Sequence, residues 1–273
     1  MRVLFLGDVV GRHARQLVMD SLPGLRQELS TDFIIVNVEN AAGGFGITPD
    51  IADGFLAAGA DVMTTGNHVW DKREIFAYID QQPRLIRPTN MPEGTPGQGM
   101  TTVTNAKGQS LTVINAMTNL FMAPTEPMFP AIKACLAKTK LKRDTDAIVI
   151  DVHGEATSEK TATGFYVDGL VSMVVGTHTH VPTADHRILP SGTAFMTDAG
   201  MCGDYTSVIG MIPEAAIGRF TGDDKSKLGV AMGAPSLSGV FVVTDDDTGL
   251  AKSISPFRRG GTLAAIDPVP LTS

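Results

Sequence analysis

The chain has 273 residues and the composition of an ordinary globular protein, with 43% hydrophobic and 19% charged residues. This length is sufficient for a full hydrophobic core in one domain or in two. The net charge of −7 argues against sequence-independent binding of polymeric nucleic acid, because such binding requires a basic surface. A local metal centre could still attract a small anionic substrate.

The apolar segments are short. The N-terminal run Val3–Leu6 is far shorter than the apolar region of a signal peptide, and no stretch approaches the length of a membrane span. Cys135 and Cys202 are the only cysteines, too few for a disulfide scaffold or a thiolate metal site. We therefore expect a cytoplasmic protein whose two cysteines fill its core.

The first third of the chain alternates β-rich runs with helical patterns, which is typical of a mostly parallel sheet. The strands predicted here are Val3–Leu6, Phe33–Val38 and Asp61–Thr64. The helices predicted here are His13–Leu29, Pro49–Ala58 and Lys72–Gln81.

Proline and glycine are dense between residues 83 and 99, so this segment is predicted to be a loop. Two helices follow it, Pro127–Lys140 and Ser158–Thr163. The later strands are predicted at Met100–Thr104, Ser110–Asn115, Ala147–Val152, Val171–Val175, Arg187–Leu189, Thr193–Thr197, Leu237–Val243 and Lys252–Pro256. This pattern predicts two packed sheets with helices outside. No linker divides the chain, so we expect one domain over residues 1–273.

Each central strand is followed by residues that can bind a metal. Ligands in open α/β sheets collect at the carboxyl ends of the strands, so these residues are expected to share one pocket. Alone, each has an ordinary explanation, such as a helix cap, a turn or a bonded core histidine. In chain order the residues are Asp8, Glu39, Asn40, Asn67, His68, His153, His178 and His180.

The last two of these residues belong to the segment VVGTHTHVP. If the chain stays extended beyond a strand at 170–176, alternation puts the rings of His178 and His180 on the same side. Two neutral imidazoles at a strand end form a chelate for a divalent metal. The alternative is a pair of loop histidines bonded to water or backbone.

In this order the residues resemble the calcineurin-like metallophosphoesterases, whose signature is D-x-H, G-D-x-x-[DN], G-N-H-[DE], a lone His and G-H-x-H. The chain departs from it twice. Val10 stands where a histidine ligand is usual, and Glu39 replaces the bridging aspartate, with Asn40 able to supply the missing donor. These departures, with segments 37–44 and 207–211, are similar to the bacterial YmdB-type branch, which acts on 2′,3′-cyclic nucleotides.

The resemblance implies an α/β fold, a four-layer α/β/β/α sandwich of two mixed β-sheets flanked by helices. It also implies two divalent metal ions, with Fe or Mn expected and Zn possible, because the donors are N and O atoms without a thiolate. The ligands of one metal would be Asp8, Glu39, Asn40 and His180. The ligands of the other would be Glu39, Asn67, His153 and His178.

The resemblance further implies that a hydroxide bridging the metals attacks phosphorus. His68 would act as the acid or transition-state stabiliser, and a purely structural duty is its alternative. The expected substrate is a small phosphodiester, a 2′,3′-cyclic nucleoside monophosphate. The sequence leaves a homo-oligomer open. The alternative functions are a metal-binding regulatory protein with vestigial catalysis and a phosphomonoesterase of the same fold, while the ligand order argues against a dinuclear peptidase.

Overall fold

The computed structural model describes residues 1–223 and 227–268 as two packed β-sheets with helices on their outer faces. The strands are β1 (Arg2–Leu6), β2 (Asp8–Val9), β3 (Phe33–Asn37), β4 (Val62–Thr64), β5 (Met100–Thr104), β6 (Ser110–Met117), β7 (Ala147–His153), β8 (Met173–Thr177), β9 (Arg187–Ile188), β10 (Ala194–Met196), β11 (Met201–Cys202), β12 (Ser236–Thr244) and β13 (Ala251–Gly260). The helices are α1 (Gly11–Glu28), α2 (Pro49–Ala58), α3 (Ile75–Tyr78), α4 (Met128–Lys138), α5 (Thr157–Tyr166) and α6 (Pro213–Thr221).

Both large sheets are mixed. The first has the order β13-β12-β1-β3-β4, in which β1, β3 and β4 are parallel and β12 runs antiparallel to its neighbours. The second has the order β5-β6-β7-β8-β10-β9, with a parallel centre from β6 to β10. The short strands β2 and β11 form a separate parallel pair. The predicted α/β sandwich of two mixed sheets is confirmed.

Apolar side chains fill three layers, one between the sheets and one under the helices on each side. In β1, Phe5 packs between the sheets, whereas Leu4 and Leu6 pack toward α1 and α2. In β7, Val149 faces the inner layer and Ile150 faces α4. Because both faces of these strands are buried, their sequences are continuous apolar runs rather than alternating ones.

The third helix is shorter than predicted. The sequence predicts a helix over Lys72–Gln81, but α3 has only four residues. Ile75 begins α3 and Ile79 directly follows it; both are buried in the core, and one helical turn is enough to place them on the same face. The residues on either side are turns, so the predicted length is wrong.

Three elements were not predicted from the sequence. Strands β2 and β11 have two residues each, which is too few for a hydrophobic period to show. Helix α6 exposes Ile217 and Phe220, which obscures its amphipathic pattern. Its ends do carry signals, because Pro213 opens the first turn and Gly222 ends the helix in the left-handed conformation.

The sequence also predicts buried cysteines and the absence of a membrane-spanning segment. Both cysteines are free and buried, as predicted. Within the described ranges, no helix has both the length and the apolarity that crossing a membrane requires. The prediction of one domain over residues 1–273 stays a prediction.

Candidate functional site

The candidate site lies where the carboxyl ends of the parallel strands meet. A cleft of about 420 Å³ opens there. The predicted site residues that line the cleft are Glu39, Asn40, His68, His178 and His180. Asp8 and His153 are fully buried, and the side chain of Asn67 contacts the ring of His153. The eight residues from distant parts of the sequence are therefore brought to one place.

The ring of His153 is held through one of its nitrogens. Its Nδ1 lies 2.9 Å from Oγ1 of Thr177, whose hydroxyl donates to Oδ1 of Asp151 at 2.7 Å. Since the threonine hydrogen is already used, Nδ1 of His153 donates and Nε2 keeps a lone pair. Burial lowers the pKa of His153 to about 3. The ring is therefore neutral and can act as a ligand.

Electron-pair donors converge on Nε2 of His153. Oε2 of Glu39 lies 2.8 Å from it, Oδ1 of Asn67 lies 3.1 Å from it, and Nδ1 of His178 lies 3.2 Å from it. A carboxylate oxygen and an amide oxygen can only accept hydrogen bonds. The oxygens of Glu39 and Asn67 therefore face the lone pair on Nε2 of His153 without a donor between them, an arrangement that a bound cation stabilises. Glu39, His153 and His178 together have the spacing of a metal-binding group.

Three buried oxygens near this group have no hydrogen-bond partner among the residues that the structure describes: Oδ1 of Asp8, Oε2 of Glu39 and Oδ1 of Asn40. Other atoms of these side chains are engaged, since Oδ2 of Asp8 accepts from the backbone N–H of His178 and Nδ2 of Asn40 donates to the carbonyl of Gly44. Burial raises the pKa of Asp8 and of Glu39 to about 7. A divalent cation would satisfy the oxygens and keep the carboxylates ionised. The residues present fit a divalent metal.

The surroundings leave room for such an ion. A Cβ atom added at Gly66 would overlap Oε2 of Glu39 and Nε2 of His153, so glycine is required two residues after β4. Val10, which stands at the usual histidine position, is buried and offers no donor atom. Asn40 presents a free buried oxygen instead.

The backbone at the two later histidines differs from the expectation. The sequence predicts an extended segment, but β8 ends at Thr177, and His178 and His180 have φ angles of +96° and +65°. This part of the prediction is wrong, because the chain turns sharply at both histidines rather than alternating. Both side chains still line the cleft, and Nδ1 of His180 is held 2.7 Å from the carbonyl oxygen of Ile209.

A buried ion pair supports this turn. Lys160 is fully buried, and its Nζ donates to the carbonyl of Thr177 at 2.7 Å and to Oδ2 of Asp198 at 2.9 Å. Asp198 also accepts from the backbone N–H groups of Thr179 and Gly200. Positive φ angles cost about 1 kcal/mol or more for a residue with a side chain. The Lys160–Asp198 pair stabilises the strained segment that carries both histidines.

Breaking this pair is expected to destabilise the protein strongly. Lys160→Met leaves Asp198 buried without its partner charge, so the free energy of unfolding should fall by about 3–5 kcal/mol. The double variant Lys160→Met/Asp198→Asn removes both charges and should recover part of that loss. Urea unfolding of the two variants and the wild type measures the difference. Equal stability of wild type and Lys160→Met would show that the pair has no such role.

The ring of His68 lies at the mouth of the cleft and is about 30% exposed. Its Nδ1 contacts Oδ2 of Asp71 at 2.8 Å, and its edge packs against the ring of Phe45 with 5.0 Å between centroids. The carboxylate fixes the proton on Nδ1 and leaves Nε2 for a bound molecule. This orientation is suited to proton transfer.

Several residues of the site were missed in the sequence. Asp151 is an isolated charge within the apolar strand β7, and Asp198 follows β10 as Asp8 follows β1. Both positions could therefore have been predicted from the sequence to belong to the site. Lys160 carried none, because its burial depends on how α5 packs against β8. The contribution of Thr177 to the orientation of His153 likewise depends on strand pairing.

Comparison with known proteins agrees with this geometry. The family described as YmdB-like protein matches residues 4–257. A Bacillus subtilis (strain 168) protein named 2′,3′-cyclic-nucleotide 2′-phosphodiesterase is 48% identical over 254 residues, which are 93% of this chain and 95% of that protein.

Two solved structures are also similar. A hypothetical protein from Thermus thermophilus has 37% identity and a TM-score of 0.88, covering 96% of this chain and 100% of that one. A structure described as a novel phosphatase from Mycoplasma pneumoniae has 33% identity and a TM-score of 0.87, covering 95% of this chain and 93% of that one. The chain belongs to the YmdB-like protein family and has the calcineurin-like metallophosphoesterase fold.

Proposed function

We propose that this protein is a metal-dependent phosphodiesterase that hydrolyses 2′,3′-cyclic nucleoside monophosphates. The observation that carries the proposal is the convergence of Glu39, Asn67 and His178 on the lone pair of His153. The name of the Bacillus relative supports the substrate class. That name refers to the 2′ ester, so the expected product is a nucleoside 3′-monophosphate.

Two divalent ions, Fe or Mn with Zn as an alternative, complete the proposed site. Asp8, Asn40 and His180 would hold one ion, Asn67, His153 and His178 would hold the other, and Glu39 would bridge them. The free oxygens of Asp8, Glu39 and Asn40 support this division. When bound, the metals supply a water nucleophile of near-neutral pKa and offset charge on the phosphoryl oxygens.

The chain's own residues then orient and protonate the substrate. His68, with its Nδ1–H held by Asp71, would act in its doubly protonated form, giving the Nε2 proton to the departing ribose oxygen and becoming neutral. Phe45, Met211 and Leu228 provide an apolar wall of the cleft against which the nucleoside packs. Placing the cyclic phosphate beside both His68 and the buried donors supplies the proximity that ring opening requires.

A comparison of substrates tests the proposal. We expect kcat/KM to be highest for 2′,3′-cyclic AMP, ahead of 3′,5′-cyclic AMP, AMP and bis(p-nitrophenyl) phosphate. The five-membered cyclic phosphate is strained, so its opening needs less stabilisation than cleavage of a relaxed diester. A clear preference for AMP would identify a monoesterase instead. Absence of turnover with every phosphodiester would favour the regulatory alternative.

The acidic net charge supports a small-molecule substrate rather than a long RNA, which would need many lysine or arginine contacts.

We also propose a cytoplasmic location and assembly as a homo-oligomer. Size-exclusion chromatography with light scattering measures the number of chains in the assembly, and a monomer at all concentrations would exclude the oligomer.

A further inference from the structure

A second cavity lies beside the cleft and shares one wall with it. This cavity has a volume of about 310 Å³. His180, Val181 and Ile209 line both the cleft and the second cavity. Arg258, from β13, lines the second cavity but not the cleft, so we call this cavity the Arg258 pocket. The Arg258 pocket is therefore directly adjacent to the cleft.

The other polar side chains of the Arg258 pocket are already hydrogen bonded within the protein. The hydroxyl of Tyr205 bonds to the backbone N–H and carbonyl of Met201 at 2.9 and 3.0 Å. The hydroxyl of Ser207 donates to the backbone carbonyl of Asp204. Nδ1 of His180 contacts a backbone carbonyl. The remaining walls are apolar, so the pocket's unused hydrogen-bonding capacity lies on Arg258.

Within the described part of the chain, the guanidinium of Arg258 has no ion-pair or hydrogen-bond partner, and its Nε is buried without one. The neighbouring Arg259 differs, since it pairs with Glu28 and Asp267. The side chain of Arg258 is only half-buried, so its terminal nitrogens, rather than the buried Nε, are the donors that a ligand can reach. Arginine presents planar donors that match the oxygens of a phosphate. The charge and geometry favour an anionic ligand group in this pocket.

We propose that the Arg258 pocket binds a phosphoryl group on the 5′ oxygen of the substrate's ribose. This inference rests on the proposed function, which places the 2′,3′-cyclic phosphate in the cleft. The 5′ oxygen is attached at the opposite end of the same sugar from the cyclic phosphate. A phosphate on that oxygen would therefore pass His180 and Val181 and reach the Arg258 pocket. The group is either a 5′-monophosphate or the phosphodiester link to a preceding nucleotide.

Three substrates separate these cases: 2′,3′-cyclic AMP with a free 5′ hydroxyl, its 5′-phosphorylated form, and a diadenosine dinucleotide ending in a 2′,3′-cyclic phosphate. We expect wild-type kcat/KM to be about tenfold higher for at least one phosphate-bearing substrate than for the 5′-hydroxyl nucleotide, the scale of one charge-assisted hydrogen bond. A gain with the dinucleotide alone identifies the internucleotide link as the ligand. A gain with the 5′-monophosphate alone identifies the terminal phosphate.

In Arg258→Met, the ratio of kcat/KM for the phosphate-bearing substrate to kcat/KM for the 5′-hydroxyl nucleotide should fall to about one. Arg258→Lys should retain part of the preference because the charge remains. Arg259→Met is the matched control, since it removes the adjacent guanidinium outside the pocket and should keep the wild-type ratio. A wild-type ratio near one for both phosphate-bearing substrates would overturn the inference. So would a full ratio in Arg258→Met.

Binding without turnover keeps this test separate from the proposed function. Calorimetry should show that adenosine 3′,5′-bisphosphate binds the metal-loaded wild type about tenfold more tightly than adenosine 3′-monophosphate, and that Arg258→Met binds both alike. Equal wild-type affinities would contradict the Arg258 pocket. Absence of hydrolysis with all three cyclic substrates, together with a tenfold affinity difference, would instead contradict the proposed function.

Discussion

Removal of all divalent cations should abolish hydrolysis of 2′,3′-cyclic AMP, and addition of Mn²⁺ or Fe²⁺ should restore it. Without a cation, Glu39 and Asn67 face the lone pair of His153 with no charge to hold them in place. The pKa values of Asp8 and Glu39, raised by burial to about 7, mean that both carboxyls partly take up protons at neutral pH and lose their negative charge. Initial rates before and after chelation, with metal content measured on the same samples, test this.

Protein dialysed without chelator is the control for this experiment, because it separates metal loss from denaturation. Circular dichroism of the chelated sample should show that the sheets persist, since the three apolar layers lie outside the cleft. Full activity in protein shown to be metal-free would refute metal dependence.

Replacing His68 by alanine should lower kcat by about a hundredfold or more while the protein keeps its metals. His68 is partly exposed and bonded to Asp71, whereas the proposed ligands are the residues around His153. Its loss should therefore remove proton transfer without emptying the site. Steady-state kinetics and elemental analysis of the same preparation test both halves of this expectation.

Asp8→Asn and His178→Ala are the matched variants, because each changes a proposed ligand and should lower the metal content. Asp71→Asn keeps the ring of His68 but weakens the hydrogen bond that orients it. The kcat of this variant should therefore lie between those of the wild type and His68→Ala. If His68→Ala lost its metals, and the fraction that retained them were fully active, the assigned role of His68 would be wrong.

Much of the site could be predicted because its residues follow apolar strands. Asp8 and Glu39 come just after β1 and β3, and His153 ends β7, so the chain order of polar residues reports a spatial cluster. This works because the carboxyl ends of parallel strands meet at one edge of a sheet. The two-sheet fold followed from the same alternation of strands and helices.

The supporting contacts could not be predicted in this way. Lys160 and Asp198 are 38 positions apart and meet only when α5 packs on β8. The positive φ angles of His178 and His180 are rare for residues with side chains, so a local pattern favours the wrong, extended backbone. Arg258 has no partner in the described ranges, and this too depends on which distant residues the fold places around it.

Anomalous diffraction from crystals grown with Mn²⁺ would locate the proposed metals. We expect two manganese peaks, one on each side of the Glu39 carboxylate, with His153 and His178 beside one peak and Asp8 and His180 beside the other. Crystals of Glu39→Ala should show reduced occupancy at both positions, because the bridging carboxylate is lost. Wild-type crystals with manganese bound elsewhere and no peak at Glu39 would refute a metal site at the carboxyl ends of the strands.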